Sequence, residues 1–431
     1  MKIAYIAPSS GGSFYCGNCI RDLNLIDGLR KLGQDVAVVP MYLPLLFEEA
    51  DTRADTPVFY GAVGLYLRQQ FPWLRRAPEW VDRIFDSPPL LNLAAGLAGS
   101  TRASGLGEMT LSMLRGEAGA QAQELEQLVA TLRDSVKPDV VHLSNALLLG
   151  TVRRIKEETS AAIVCSLQDE DSWIDALDEE QASEARRLVG EASAQVEIML
   201  PVSRYYAGFF QGYAPIRSKH TEVIPVGVDL REHGGMTPFP DPPTVGFLSR
   251  MCEDSGLELL VDAVLELKSD EVLRKLRLIV SGGHTGDDRL FLRRLRSRIR
   301  KGGADKDVVF IQEFSKNARA RFFRRLSLFS VPSLRPTAFG LSLLEALAAG
   351  IPVVQPNIGA YPELISATRG GVLYQPNDAP TLSSALKSLL LDGNKRTALG
   401  KQGRAAVQEL YGLETVARRM VSVYEKSQEL R

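Results

Sequence analysis

Short runs of β-branched residues alternate with stretches of helical period along most of the chain, and that alternation leaves few folds open. The first unit is a strand Lys2–Ala7, a Gly/Ser-rich turn, a helix over 18–32 and a strand over 35–39. Later strands read at 139–143, Ala162–Leu167 and 197–202. Parallel strands need crossovers long enough to hold a helix, so the pattern predicts parallel sheets covered by helices. A Gly- and Pro-rich linker then runs over 226–243 and ends Pro238-Phe239-Pro240-Asp241-Pro242-Pro243. Proline fixes φ and removes a ladder donor, so this stretch reads as a hinge rather than an element. A second series follows. Strands at Thr244–Leu248, 276–281, 307–311 and 328–332 alternate with helices at 256–268, 287–301 and 316–325, and the final helices run from about 379 to the end.

A chain of 431 residues is too long for one ordinary core. The reading is therefore α/β, with two Rossmann-like doubly wound domains over 1–235 and 236–431. Their sheet edges would face each other across an interdomain cleft, where ligands bind in such folds. The last helix is expected to pack back on the first domain. Over 59–136 the alternation breaks into helical pattern, with Trp73, Trp80 and Phe85 spaced for apolar faces and Pro88-Pro89 as punctuation. This helical insertion reads either as extra packing or as an acceptor-side lid or membrane-surface contact.

Composition narrows the classes. A net charge of −1 gives no global basic field, so nucleic acid is not an expected partner. No apolar run approaches the ~18 residues of a membrane span, and the opening Met-Lys-Ile-Ala-Tyr-Ile-Ala-Pro is too short for a signal core. The default location is cytoplasmic, with peripheral contact at the inner membrane face left open. Four cysteines make no disulfide framework. Cys16-Gly17-Asn18-Cys19 is a C-x-x-C with no second pair, which disfavours zinc. It reads as two small residues in a tight turn, or as a redox pair at a helix N-terminus.

The most informative segment runs from Pro332 to Gln355. A buried strand ends at Pro332, a loop follows, and a helix is predicted over 339–349, closed by Gly350 as a left-handed cap. Leu341, Leu343, Leu344 and Leu347 cover that helix almost all round, so it must be buried. Glu345 is its one charge, and a buried carboxylate requires partners. It can accept two hydroxyls, as a ribose diol offers, or pair with an arginine of a neighbouring helix. Free N–H groups at Gly340-Leu341 suit a phosphate.

Phe339-Gly340, Glu345-Ala346, Gly350-Ile351-Pro352-Val353-Val354 and Gly359-Ala360-Tyr361-Pro362-Glu363 together resemble the family-4 retaining glycosyltransferases of the two-Rossmann-domain (GT-B) fold. Gly246-Phe247-Leu248-Ser249-Arg250 with Gly256-Leu257, Pro225-Val226-Gly227-Val228-Asp229, and Pro138-Asp139-Val140-Val141-His142 extend the match in the family's order. The resemblance implies a nucleotide-diphosphate sugar as donor substrate, no cofactor and no metal. Arg250, Phe339, Gly340, Leu341 and Glu345 would hold the donor. The family's first motif glutamate is Thr337 here, which could instead cap the helix, and its phosphate-binding lysine is Ser255. By register, Gly17-Asn18 falls where the family has its phosphate-facing glycines.

His142 ends a strand and is a candidate proton acceptor or donor-orienting group, with a packed, hydrogen-bonded strand-end residue as the other reading. The second histidine of the family is Ser144 here, followed by Asn145. Asp169-Glu170-Asp171 follows a strand, so Ser144, Asn145 and Asp169 are the acceptor-side candidates. Asp169 also sits in an Asp-x-Asp pattern that could be a metal motif or a solvated turn. The basic run Arg289 to Lys301 reads as a solvated helix face, with an anionic lipid or glycan as the alternative.

The expectation is a glycosyltransferase moving a sugar, with retention, to a glycan, lipid-linked or small-molecule acceptor. Its catalytic residues would be His142, Arg250 and Glu345. A binding protein on a transferase fold is the alternative, because Thr337, Ser255 and Ser144 all subtract chemistry. A sugar phosphorylase or epimerase is a third reading.

Overall fold

The computed structural model describes residues 1–8, 14–41 and 107–431. The expected insertion over 59–136 therefore lies mostly outside the described residues. Its final part forms helices Gly107–Leu114 and Ala122–Ala130.

Among the described residues two parallel sheets form. The first holds β1 (Lys2–Ala7), β2 (Asp35–Pro40), β3 (Val140–Leu143), β4 (Ala162–Leu167) and β5 (Ile198–Pro201) in the order β2-β1-β3-β4-β5. The second holds β6 (Thr244–Leu248), β7 (Arg277–Ser281), β8 (Val308–Ile311), β9 (Leu328–Phe329), β10 (Val353–Pro356) and β11 (Gly371–Tyr374) in the order β11-β10-β9-β6-β7-β8. Both orders reverse direction once, between β1 and β3 and between β6 and β9. Doubly wound sheets bind ligands at the carboxyl ends of the strands flanking such a reversal.

The strands read as continuous apolar runs because both faces are covered. Along β1, Ile3, Tyr5 and Ala7 enter one core while Ala4 and Ile6 enter the other. The first of these cores is closed by two elements far apart in the chain. Helix Gly17–Lys31 supplies Leu25, Ile26 and Leu29, and the final helix Leu413–Leu430 supplies Val416, Met420, Val423 and Tyr424.

The backbone crosses between domains at two adjoining places. Val228 donates its N–H to the Tyr411 carbonyl at 2.9 Å, and Leu413 donates to the Val228 carbonyl at 3.0 Å. Just beyond the first crossing, Asp229 caps the short helix Leu230–His233. His233 is buried there, edge-on to Phe323, and neither ring nitrogen has a hydrogen-bond partner among the described residues. No described helix is long and apolar enough to cross a membrane.

Burial holds the His233 imidazole down to about 4, below its ordinary 6.5. Between those two values the unfolded chain binds the proton that the folded chain refuses. This contribution to stability is therefore complete above pH 6.5 and is lost as the pH falls towards 4. Urea unfolding midpoints measured between pH 7 and pH 4.5 should fall, and His233→Leu should remove that part of the slope.

Candidate active site

Past β9, residues 330–340 cross the reversal point of the second sheet and feed helix Leu341–Ala348. Gly340 occupies the cap position of that helix, with no side-chain cap. Thr337 is thus not the cap, because the helix begins four residues after it. Its backbone is pinned instead. Ala360 donates to the Thr337 carbonyl at 3.0 Å, and Gly359 turns with φ 57° directly against it. A side chain at Gly359 would meet the Thr337 nitrogen at 2.4 Å, so this turn needs glycine.

Glu345 is 2% exposed, and both of its oxygens are engaged. Arg319 donates Nε–H to Oε1 at 2.8 Å. Tyr15, from the loop after β1 in the other domain, donates its hydroxyl to Oε2 at 2.8 Å. Burial and then the Glu345 charge push the Tyr15 hydroxyl well above its ordinary range, so it stays a neutral donor. Arg319 also donates to the Phe314 carbonyl at 3.2 Å and lies 3.8 Å from Glu232, which Lys316 meets at 2.9 Å. The arginine partner weighed for Glu345 is therefore present. A sugar hydroxyl would share or displace these bonds.

Arg250 follows β6 at the same reversal point. Its Nε and Nη2 grip the Asp288 carboxylate at 3.0 and 3.1 Å, and Nη2 also donates to Thr285 Oγ1 at 2.9 Å. The guanidinium lies 5.6 Å from the centre of the Phe14 ring. Its side chain is 39% exposed, and Nη1 makes no hydrogen bond to the described residues. Ser255 does not reach the cleft, which corrects its donor-binding assignment. Its hydroxyl donates to the Cys252 carbonyl at 2.6 Å inside a buried turn. Gly256 closes that turn with φ 72°, where a Cβ would strike the Pro332 carbonyl at 1.8 Å.

The first domain meets this site through its loop after β1. Gly17 opens helix Gly17–Lys31 beneath the Phe339 ring, where a Cβ would come within 3.2 Å of it. Gly17 thus lets the helix start pack against the motif phenylalanine. Asn18 beside it has a buried Oδ1 with no hydrogen-bond partner among the described residues.

His142 is corrected as a catalytic candidate. It is 0% exposed, with Nδ1 2.6 Å from the Tyr424 hydroxyl and Nε2 2.8 Å from Ser166 Oγ. Arg21 donates to the same Ser166 oxygen at 2.7 Å. Burial, reinforced by the Arg21 charge, drives the imidazole well below its ordinary range. It points into the core under helix Gly17–Lys31 and the final helix because residue parity along β3 sends it to that face.

Ser144 and Asn145 do lie beyond the carboxyl end of β3. Ser144 is buried with an unpartnered hydroxyl, and Asn145 caps the following turn through the Leu147 N–H at 3.0 Å. Asp169 lies beyond β4 in a left-handed conformation, φ 76°, and burial followed by the Asp171 charge pushes its carboxyl up to about 7. Glu170 beside it is not a solvated acid. It accepts from the N–H groups of Ala146 and Gln168 at 3.0 and 2.8 Å and from the Tyr206 hydroxyl at 2.9 Å. Among the described residues no cluster of three or more metal-ligating side chains forms.

Two residues here were not singled out from the sequence, Tyr15 and Arg319, and Glu170 and Glu363 were named only as parts of their motifs. Glu363 reaches across the cleft to accept from the N–H groups of Arg204 and Tyr205 at 3.2 and 3.0 Å, capping a helix of the other domain. The family motif Gly359-Ala360-Tyr361-Pro362-Glu363 marked its position but not its partner in the other domain.

Residues 232–406 match the family model for glycosyl transferases group 1. That stretch is therefore similar to a glycosyl transferases group 1 domain. The lipopolysaccharide core biosynthesis mannosyltransferase LpsB of Rhizobium meliloti is 30% identical over 183 residues, 42% of this chain and 51% of that protein. The D-inositol 3-phosphate glycosyltransferase of Corynebacterium jeikeium is 30% identical over 157 residues, 36% of this chain and 37% of that protein. The chain thus spans about half the length, or less, of these relatives. Whole-chain likeness appears in solved structures. Sucrose-phosphate synthase from Thermosynechococcus elongatus superposes with TM-score 0.72 at 18% identity, covering 98% of each chain. Anabaena HepE in complex with UDP superposes with TM-score 0.68 at 16% identity, covering 99% of this chain and all of that one. The group 1 domain and its partner domain therefore adopt the two-Rossmann-domain GT-B fold, as the sequence predicts.

Removing Arg319 strands a carboxylate in this apolar site. Arg319→Met should destabilise the protein by about 3–5 kcal/mol, whereas adding Glu345→Gln should recover a large share of the loss. Urea denaturation of the two single variants and the double variant measures the coupling.

Proposed function

We propose that the chain is a retaining glycosyltransferase that binds a nucleotide-diphosphate sugar on its group 1 domain and transfers the sugar to an acceptor held by the first domain. The observation that carries this is the placement of Glu345 and Arg250. Both come from elements beside the reversal point of the second sheet, one in a buried helix and one half-exposed with an uncommitted Nη1.

In this reading Glu345 receives the ribose hydroxyls once Tyr15 gives way. Arg250 and the helix end at Gly340-Leu341 take the diphosphate and meet its growing charge as the sugar–phosphate bond breaks. Sucrose-phosphate synthase and HepE have the same whole-chain fold, and the HepE structure holds UDP. His142 is sealed in the core, so it is not the base. The proton of the acceptor hydroxyl passes to the departing phosphate oxygen as the new bond to the sugar carbon forms on the same face. That route gives retention without a protein base. Ser144, Asn145 and Asp169 border the acceptor side, and the acceptor is a glycan, a lipid-linked group or a small molecule. The capture of Glu345 by Arg319 and of Arg250 by Asp288 favours one second reading, a binding protein on a transferase fold.

Calorimetric titration with UDP-, GDP- and ADP-sugars separates the two. One donor should bind, and Glu345→Ala should weaken it by about a hundredfold, the worth of its charge-assisted hydrogen bonds. Absence of binding by all three at millimolar concentration would sink the transferase reading.

A further inference from the structure

The C-x-x-C pair has no part in the chemistry above, yet it sits at the point where the two domains touch the donor helix. Cys16 and Cys19 are joined as a disulfide, with Cα atoms 5.4 Å apart. The bond closes the first turn of helix Gly17–Lys31, where Cys16 is the cap residue and its sulfur accepts the Cys19 N–H at 3.3 Å. Both residues are partly exposed, within reach of a solvent thiol. Cys165 is buried and Cys252 is a lone thiol elsewhere in the fold.

What precedes the disulfide is a strap across the cleft. Phe14 makes an antiparallel bridge with Gly283, and Tyr15 donates its N–H to the Gly282 carbonyl at 2.6 Å. The Phe14 ring lies over Arg250, and the Tyr15 hydroxyl closes on Glu345. Between the two cysteines, Gly17 lies flat against Phe339. The half-turn locked by the disulfide thus touches Phe339 and immediately follows the residue that occupies Glu345.

We propose that Cys16 and Cys19 form a thiol–disulfide exchange site whose state sets how firmly the strap holds the donor carboxylate. The reacting partner is a small or protein dithiol. Its thiolate attacks one sulfur of the pair to give a mixed disulfide, and its second thiol resolves that bond. Two electrons and two protons pass to the pair, leaving two cysteine thiols and the partner's disulfide. A thiol at a helix N-terminus is a good leaving group in this exchange, because the helix end favours its thiolate. Oxidised, the turn is locked and Tyr15 stays on Glu345. Reduced, the turn is released, the Tyr15 contact loosens, and Oε2 becomes available to the donor. This last coupling rests on the donor role proposed for Glu345.

The test uses the full-length protein equilibrated with dithiothreitol or with its oxidised form, without denaturant. Differential alkylation with peptide mass mapping should label Cys16 and Cys19 only after reduction. Hydrogen exchange over residues 14–22 and 341–347 should be faster in the reduced form. Binding of the tightest of UDP, GDP and ADP should be about tenfold tighter in the reduced form, the worth of one hydrogen bond to a charged group. The C16S/C19S variant should behave as the reduced protein in both buffers. A pair that resists native reduction, or equal exchange in the two states, overturns the proposal, as does redox dependence that persists in C16S/C19S. If that variant does not fold, the comparison of the two wild-type states still decides. If no nucleotide binds in either state, the function reading falls, while alkylation and exchange still judge the redox site.

Discussion

A carboxylate sunk in an apolar helix has to be neutralised, and the way Glu345 is neutralised organises the whole cleft. The helix around it is buried on every side, so water is not available as a partner. Its two oxygens draw in an arginine from a neighbouring helix and a tyrosine from the opposite domain. Through Arg319 the charge reaches Glu232 and Lys316, beside the interdomain crossing. One buried charge therefore links helix Leu341–Ala348, the first-domain loop and the residues beside the interdomain crossing. Removing Arg319 leaves Glu345 without a countercharge, and removing Tyr15 takes the hydrogen bond from its other oxygen, so these groups act together rather than as separate contacts.

Beside the apolar packing, several contacts between domains are polar. Glu363 caps a helix of the first domain, and Ser203 donates its hydroxyl to the Ala338 carbonyl at 2.7 Å. Polar bonds of this kind can exchange with water at small net cost, unlike an interlocked apolar seam. The paired crossings at Val228 and at Tyr411 to Leu413 are the fixed point about which such exchange can occur.

Much of the fold was legible because period and punctuation agree. Both faces of β1 and β4 are buried, Gly350 and Pro352 mark the end of helix Leu341–Ala348, and the linker prolines separate two repeating series. The polar site was less legible, because side-chain partners join residues far apart in sequence. Nothing near Arg319 says that it meets Glu345, and nothing near Tyr15 says that it reaches across 330 positions to do so. His142 misled for a simpler reason. Its place near a strand end pointed to the cleft, whereas alternation along β3 turns it towards Tyr424 on the final helix. Ser255 and Thr337 occupy the positions that the family resemblance implies, but one hydroxyl is spent on its own turn and the other residue is pinned by its backbone.

The final helix has a consequence for how the protein is made. Val416, Met420, Val423 and Tyr424 complete a core whose other members belong to the first 224 residues. A ribosome delivers the strands of the first sheet early and this cover last, after the whole second sheet. Until then one face of the first sheet lacks part of its lid, and the His142 imidazole lacks its tyrosine partner. The N-terminal domain can therefore not reach its finished state ahead of the C-terminal one, and the two halves mature together despite having separate sheets.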